Sequence, residues 1–313
     1  MRVLVTGASG WIGSAVVPDL LDAGHQVTGL ARSDGSAAAI EGAGASVVRG
    51  DIDDLDVLRE AAAGSDAVIH LAFRHDVAFS GGFAEAIASD IAAVRALGEG
   101  LPDGGALTIA GGILGMAVDG VPATERDVPS PNSMAAGRQA AADAALGLAP
   151  RVRSSVVRLS PTVHGEGDAG FVPTLIAAAR RRGVAGYPGN ATEHADRGSA
   201  RWPAVHRSDA ARLFRLAIEV APAGSVLHAV DDEGVRIREI AEVIGRHLDV
   251  PVRSVGADEA DEQFGFLAMF VGLDSPASSA ITRELTGWAP TGPGLLEDLD
   301  KGHYFAPGAG TKY

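Results

Sequence analysis

No cysteine occurs in the 313 residues, which excludes disulfides and thiolate metal centres and fits a reducing compartment. Lysine is confined to Lys301 and Lys312, and tyrosine to Tyr187, Tyr304 and Tyr313, so no tyrosine stands four residues before a lysine. Basic charge is scarce as well. Lys and Arg number 26 against 40 Asp and Glu, a net charge of −14, which repels nucleic-acid backbones and leaves small-molecule chemistry as the expectation. The longest charge-free apolar stretch, Phe264 to Leu273, falls far short of the roughly 20 residues that cross a bilayer. A strand-like run begins at the second residue, so a cytoplasmic location without a cleaved leader is expected. No His, Asp or Glu cluster has metal-ligand spacing, and no metal is proposed.

What is present is alternation. β-branched runs near 2–6, 26–30, 46–49, 66–71, 105–110 and 153–159 are separated by Ala- and Leu-rich stretches of helical length. That order predicts an α/β fold with a doubly wound parallel sheet of the Rossmann type. Beyond residue 160, Gly- and Pro-rich connections with helices near 170–182, 208–220, 236–247 and 277–286 predict a smaller interleaved substrate domain. The expected division is 1–165 with 204–222 for the dinucleotide domain, and 166–203 with 223–313 for the other. Pro18 removes a hydrogen bond from the first helix, and a bend or shortened turn is expected there. The polar stretch 189–201 reads as a surface loop or lid, and the tail from Ala306 as frayed.

The run VLVTGASGWIG at 3–13 carries the most specific signal. Gly7, Gly10 and Gly13 follow a strand and open a helix, so Gly7 turns the chain, Gly10 admits a pyrophosphate to the backbone and Gly13 allows close helix packing. Ser9, Trp11 and Ile12 complete this loop. At the end of the second strand, Ala31 stands where an NAD-specific protein has a carboxylate. Arg32 and Ser33 follow, so a 2′-phosphate would meet a cation, which favours NADP(H) while NAD(H) stays possible.

Together these segments resemble the atypical and extended short-chain dehydrogenase/reductases, the epimerase/dehydratase-like group. TGASGWIG (6–13), RGDIDD (49–54), IHLAF (69–73), RLSPTVHGEGD (158–168) and AVHRSDAAR (204–212) are similar to its motifs. The resemblance implies cofactor contacts at Asp51, Ile52, Leu71, Ala72 and Phe73. The departures concern catalysis: Gly111 and Gly112 replace a serine pair, Met134 stands at the tyrosine position and Arg138 at the lysine. Arg138 can still hydrogen-bond the nicotinamide ribose, but a guanidinium does not exchange its proton near neutrality.

Epimerases and dehydratases must deprotonate an unactivated alcohol and need a base that this pattern lacks. Ketone reduction asks for less. Positioning accounts for roughly 7 to 11 kcal/mol in well-oriented reactions, whereas a general acid adds roughly 3 to 5. The expected activity is therefore NADPH-dependent reduction of a ketone on a small hydrophobic substrate, with the proton supplied by water or a substrate phenol. The pattern is similar to that of the atypical ketoreductases of aromatic polyketides. Phe264, Phe266, Leu267, Met269 and Phe270 could line an apolar pocket or form a core helix. Ser160, Thr162, His164 and Tyr187 are the weak candidates for a protein acid. A non-catalytic dinucleotide sensor and a sugar-nucleotide epimerase remain as alternatives, and the oligomeric state is open.

Overall fold

Alternation of side chains along each strand sorts the core into two layers. Val3 and Val5 face one side of the sheet with Ile69 and Val157, while Leu4 faces the other with Val68, Leu107 and Val156. Both faces of a parallel sheet must be covered by helices, and both are.

The computed structural model describes residues 1–130, 135–189 and 200–306, without the side chain of Phe79. Met134, the 190–199 part of the expected lid and the tail from 307 lie outside the described residues. The first unit runs β1 (Arg2–Thr6), α1 (Gly13–Asp22), β2 (Gln26–Ala31), α2 (Asp34–Gly42), β3 (Ser46–Arg49), α3 (Leu55–Ala63) and β4 (Ala67–His70). A short α4 (His75–Val77) leads through a π turn into α5 (Phe83–Gly100), followed by β5 (Ala106–Gly112), α6 (Ala136–Leu146) and β6 (Arg153–Leu159). Then come β7 (Thr162–His164), α7 (Phe171–Arg182), β8 (Ala185–Pro188), β9 (Arg201–His206), α8 (Arg207–Val220) and β10 (Ser225–Ala229). The chain continues with β11 (Asp232–Arg236), α9 (Ile237–Leu248), β12 (Val252–Val255), α10 (Ala260–Phe264), α11 (Ala268–Val271), α12 (Ala280–Thr286) and α13 (Leu295–Asp300).

Seven parallel strands form the large sheet in the order β10-β6-β5-β4-β1-β2-β3. The α/β Rossmann expectation holds. α1 and α8 pack on one face, and α3, α5 and α6 on the other. β10 extends the sheet beyond the six strands read from sequence and brings residues past 223 back to the first unit. β7, β9 and β11 form a separate three-stranded sheet and β8 pairs with β12, and these strands with α7, α9, α10, α11 and α13 make a second unit. The apolar stripe of α9 (Ile237, Ile240, Ala241, Ile244) packs with Val172, Leu175 and Ile176 of α7 in the second core.

α1 runs through Pro18 as one helix. Pro18 and Ser14, whose carbonyl loses its partner, both lie on the exposed side, which leaves the carbonyl open to solvent. Among the described residues, no helix is long and apolar enough to cross a membrane.

Candidate active site

The strand order reverses between β1 and β4, and a doubly wound sheet opens its binding crevice at the carboxyl ends of such a pair. Gly7 leaves β1 with φ 66°, and a Cβ there would stand 2.8 Å from the backbone nitrogen of Ala72 in the loop after β4. At Gly13 a Cβ would lie 2.1 Å from the Gly7 carbonyl oxygen, so the first turn of α1 sits directly on the loop. Ser9 and Gly10 are exposed, and Gly10 N–H donates to the Gly7 carbonyl at 2.9 Å. No side chain caps α1 and no acidic residue occupies its first turn, so the positive end of the helix is available to an anion. These features fit a dinucleotide pyrophosphate.

Trp11 is held from two sides. Its indole N–H donates to the Val163 carbonyl (2.9 Å), and the Arg207 guanidinium lies 4.2 Å from the ring centre while donating to the Trp11 carbonyl (2.7 Å). Ile12 is half-buried in the same loop. At the far end of the crevice, buried Ala31 closes β2 and leaves no carboxylate there. Arg32 is exposed, 3.8 Å from Asp76, and Ser33 caps α2 by accepting from Ser36 N–H (3.1 Å). Asp51 accepts from Asp53 N–H, Ile52 is buried, and Arg74 pairs with Asp53 at 2.6 Å.

Arg138 projects from α6 toward the loop after β4. It donates to the Ala110 carbonyl (2.8 Å), lies 3.2 Å from Asp90 of α5 and stacks 4.0 Å over the Phe73 ring. Asp90 is 1% exposed and accepts from His70 Nε2–H at 3.1 Å. With that proton on Nε2, His70 Nδ1 accepts from the Thr6 hydroxyl (2.7 Å), whose oxygen accepts from the N–H groups of Leu71 and Ala72 (3.2 Å each). Burial works to raise the Asp90 pKa, but the His70 hydrogen bond and the Arg138 charge outweigh it and hold the carboxyl below its ordinary range. A continuous polar chain thus joins Arg138 to the loop facing Gly7. The sequence reading missed Asp90, whose only local signal is an acid on the buried face of a helix.

Gly111 and Gly112 end β5. A Cβ on Gly111 would meet Val156 at 3.2 Å, whereas Gly112 has nothing within 4 Å. Ser160, Thr162 and His164 are all buried. Ser160 donates to the Ala229 carbonyl and Thr162 to the Pro203 carbonyl, each at 2.7 Å, and His164 Nδ1 lies 3.0 Å from Asp298. Tyr187 is on β8 in the second unit, with the Arg238 guanidinium 5.6 Å from its ring centre. The apolar 264–270 cluster divides. Phe264, Leu267 and Phe270 are buried, while Phe266 and Met269 are 53% and 61% exposed. Phe171 packs against both Phe266 (6.3 Å) and Phe270 (5.3 Å).

A second buried network braces β6 and was also missed. Glu125 accepts from the N–H and hydroxyl of Thr282 (2.7 and 2.6 Å), and Arg158 donates to the Asp127 carbonyl (2.9 Å). His228 donates from Nδ1 to the Ser278 carbonyl (2.9 Å), which leaves Nε2, 3.3 Å from Arg158, as an acceptor. Burial drives His228 down to about 4, so it is neutral at physiological pH.

A family model described as NAD dependent epimerase/dehydratase matches residues 3–229. An uncharacterized protein of Schizosaccharomyces pombe is 44% identical over 97% of this chain and 100% of its own length. A 2-alkyl-3-oxoalkanoate reductase of Stenotrophomonas maltophilia is 40% identical over a shorter stretch, 22% of this chain and 21% of that protein. Among solved structures, the dTDP-glucose 4,6-dehydratase DesIV of Streptomyces venezuelae with bound NAD superposes with a TM-score of 0.76 at 20% identity, covering 99% of this chain and 98% of that one.

Proposed function

The chain belongs to the NAD dependent epimerase/dehydratase family, a family of NAD-binding enzymes, and from that premise we propose that it is an NADPH-dependent ketoreductase. The observation that carries the reading is the contrast between an intact glycine cradle and the inward anchoring of Arg138. Gly7, Gly10, Gly13 and the uncapped start of α1 would hold the pyrophosphate; Asp51, Ile52 and Leu71 to Phe73 would line the nucleosides. When bound, the reduced nicotinamide supplies a hydride. Arg138 donates one hydrogen bond to the Ala110 carbonyl and is held by the charge of Asp90, so its part is to orient the crevice wall. It carries no proton to the substrate. The hydroxyls of Ser160 and Thr162 are committed to carbonyls, which supports a proton from water or from a phenol on the substrate.

The exposed faces of Phe266 and Met269 beside Phe171 support an apolar, flat substrate. An angucyclinone-type polycyclic ketone, of the kind tailored in antibiotic biosynthesis, is the most specific form of this reading. A sugar-nucleotide epimerase ranks lower because six described arginines beyond residue 180 are already matched. Arg182, Arg201, Arg238, Arg246, Arg253 and Arg283 each face a carboxylate. Arg201 is gripped by Asp274 through Nε (2.9 Å) and Nη2 (2.7 Å), which offsets the charge a diphosphate would seek.

Incubation with NADPH and a panel of phenolic polycyclic ketones, followed at the reduced-nicotinamide band, tests the activity. Consumption of NADPH with formation of the alcohol is expected, and Ser160→Ala and Thr162→Val should retain most of it. Tight binding without turnover across the panel would favour a dinucleotide sensor. Arg32→Ala should weaken NADPH by about tenfold or more and leave NADH unchanged, as loss of one charge-assisted contact implies.

A further inference from the structure

Beside the dinucleotide crevice, the second unit closes a turn with groups that the proposed reaction does not use. Tyr304, 4% exposed, follows α13, and its hydroxyl donates to Asp168 Oδ2 (3.1 Å) while accepting from Gly165 N–H (3.0 Å). The other Asp168 oxygen accepts from Gly170 N–H at 2.7 Å. One phenol and one carboxylate therefore pin both ends of residues 165–170. Gly165 and Gly167 have φ values of 147° and 84°, a region that L side chains rarely adopt, so this path depends on what fastens it.

The turn leans on the glycine loop. A Cβ on Gly167 would be 3.7 Å from the indole of Trp11, and Val163, just before the turn, accepts the indole N–H. Arg207 stacks on the same ring and ties it to α1 by donating to the Ser14 hydroxyl (2.6 Å). Trp11 itself lies between Gly10 and Gly13. Displacing the turn would release one side of the indole and, with it, the backbone that must approach a pyrophosphate.

We propose that Tyr304 and Asp168 are positioning residues for the cofactor: they fasten the 165–170 turn against Trp11, and Trp11 holds the glycine loop in its binding conformation. This rests on the dinucleotide site and is independent of the substrate. Asp168 is the receiving partner for two donors, and among the described residues the Tyr304 hydroxyl makes the hydrogen bond that joins it to the segment after α13.

The test is NADPH affinity by isothermal titration calorimetry, read beside the thermal midpoint. Tyr304→Phe removes the hydroxyl and keeps the ring, and affinity is expected to fall about tenfold, the scale of one or two lost hydrogen bonds. Asp168→Asn retains an acceptor oxygen and should fall between that variant and the parent. Ile244→Val trims the side of the second core shared with Leu175 and Phe264 and controls for stability alone; its affinity should match the parent. Tyr304→Phe binding within about twofold of the parent, or Ile244→Val weakening binding as much as Tyr304→Phe, would overturn the proposal. Should Tyr304→Phe fail to fold, Trp11→Phe keeps an aromatic ring but loses the bond to Val163, and unchanged affinity there would overturn it equally. Ketone reduction plays no part in this readout, so a negative substrate panel leaves the result interpretable.

Discussion

Asp168 combines burial with donors that favour its ionised form, and burial is the larger effect. The carboxyl is raised from 3.8 to about 6. A group that binds its proton more tightly in the folded chain than in the unfolded one stabilises the fold fully below the unfolded pKa and loses that contribution as pH rises through the folded value. Here the window runs from 3.8 to about 6, and roughly two units correspond to about 3 kcal/mol. His164, His206, Asp298, Lys301, His303 and Tyr304 surround this region, so the comparison must be differential. The thermal midpoint of the parent relative to Asp168→Asn should fall between pH 4 and pH 7; a constant difference would contradict the assignment. The glycines of the loop were legible in sequence because their spacing states the backbone requirement directly. Asp168 and Tyr304 were not, since their meaning arises only when 136 residues of chain bring them together.

Elements differ in how far local pattern specifies them. α9 was legible because Ile237, Ile240, Ala241 and Ile244 recur at helical spacing, and β1 to β6 because β-branched runs alternate with helical stretches. β10 escaped notice: a short strand at the sheet edge, SVLHA, carries no signal that distinguishes it from a second-unit strand until it pairs with β6. α5 and α6 read as ordinary alanine-rich helices, yet Asp90 and Arg138 bind them through the first unit's interior. Removing one partner of such a pair leaves an uncompensated charge. Asp90→Ala should cost about 3 to 5 kcal/mol in urea unfolding, whereas a loss below about 1 kcal/mol would mean that Arg138 finds another partner or reaches water.

Across the whole molecule, charge is distributed to match itself. The 40 carboxylates pair with many of the arginines and outnumber the 26 basic side chains, which leaves the net −14, and the second unit presents aromatic and thioether surface at Phe266 and Met269. The first unit has the crevice of its fold at the carboxyl ends of β1 and β4, with glycines at the end of β5 and an anchored guanidinium on α6. Under the proposed reading, the site orients a reduced cofactor over an electrophilic carbon without a tyrosine to complete the transfer. The most direct measurement uses NADPH carrying deuterium at the transferable C4 position with a phenolic polycyclic ketone, and follows the label by mass spectrometry and NMR. Stoichiometric deuterium on the carbinol carbon of the product is the expected result; unlabelled ketone recovered in full, with the cofactor bound and still reduced, would contradict the account.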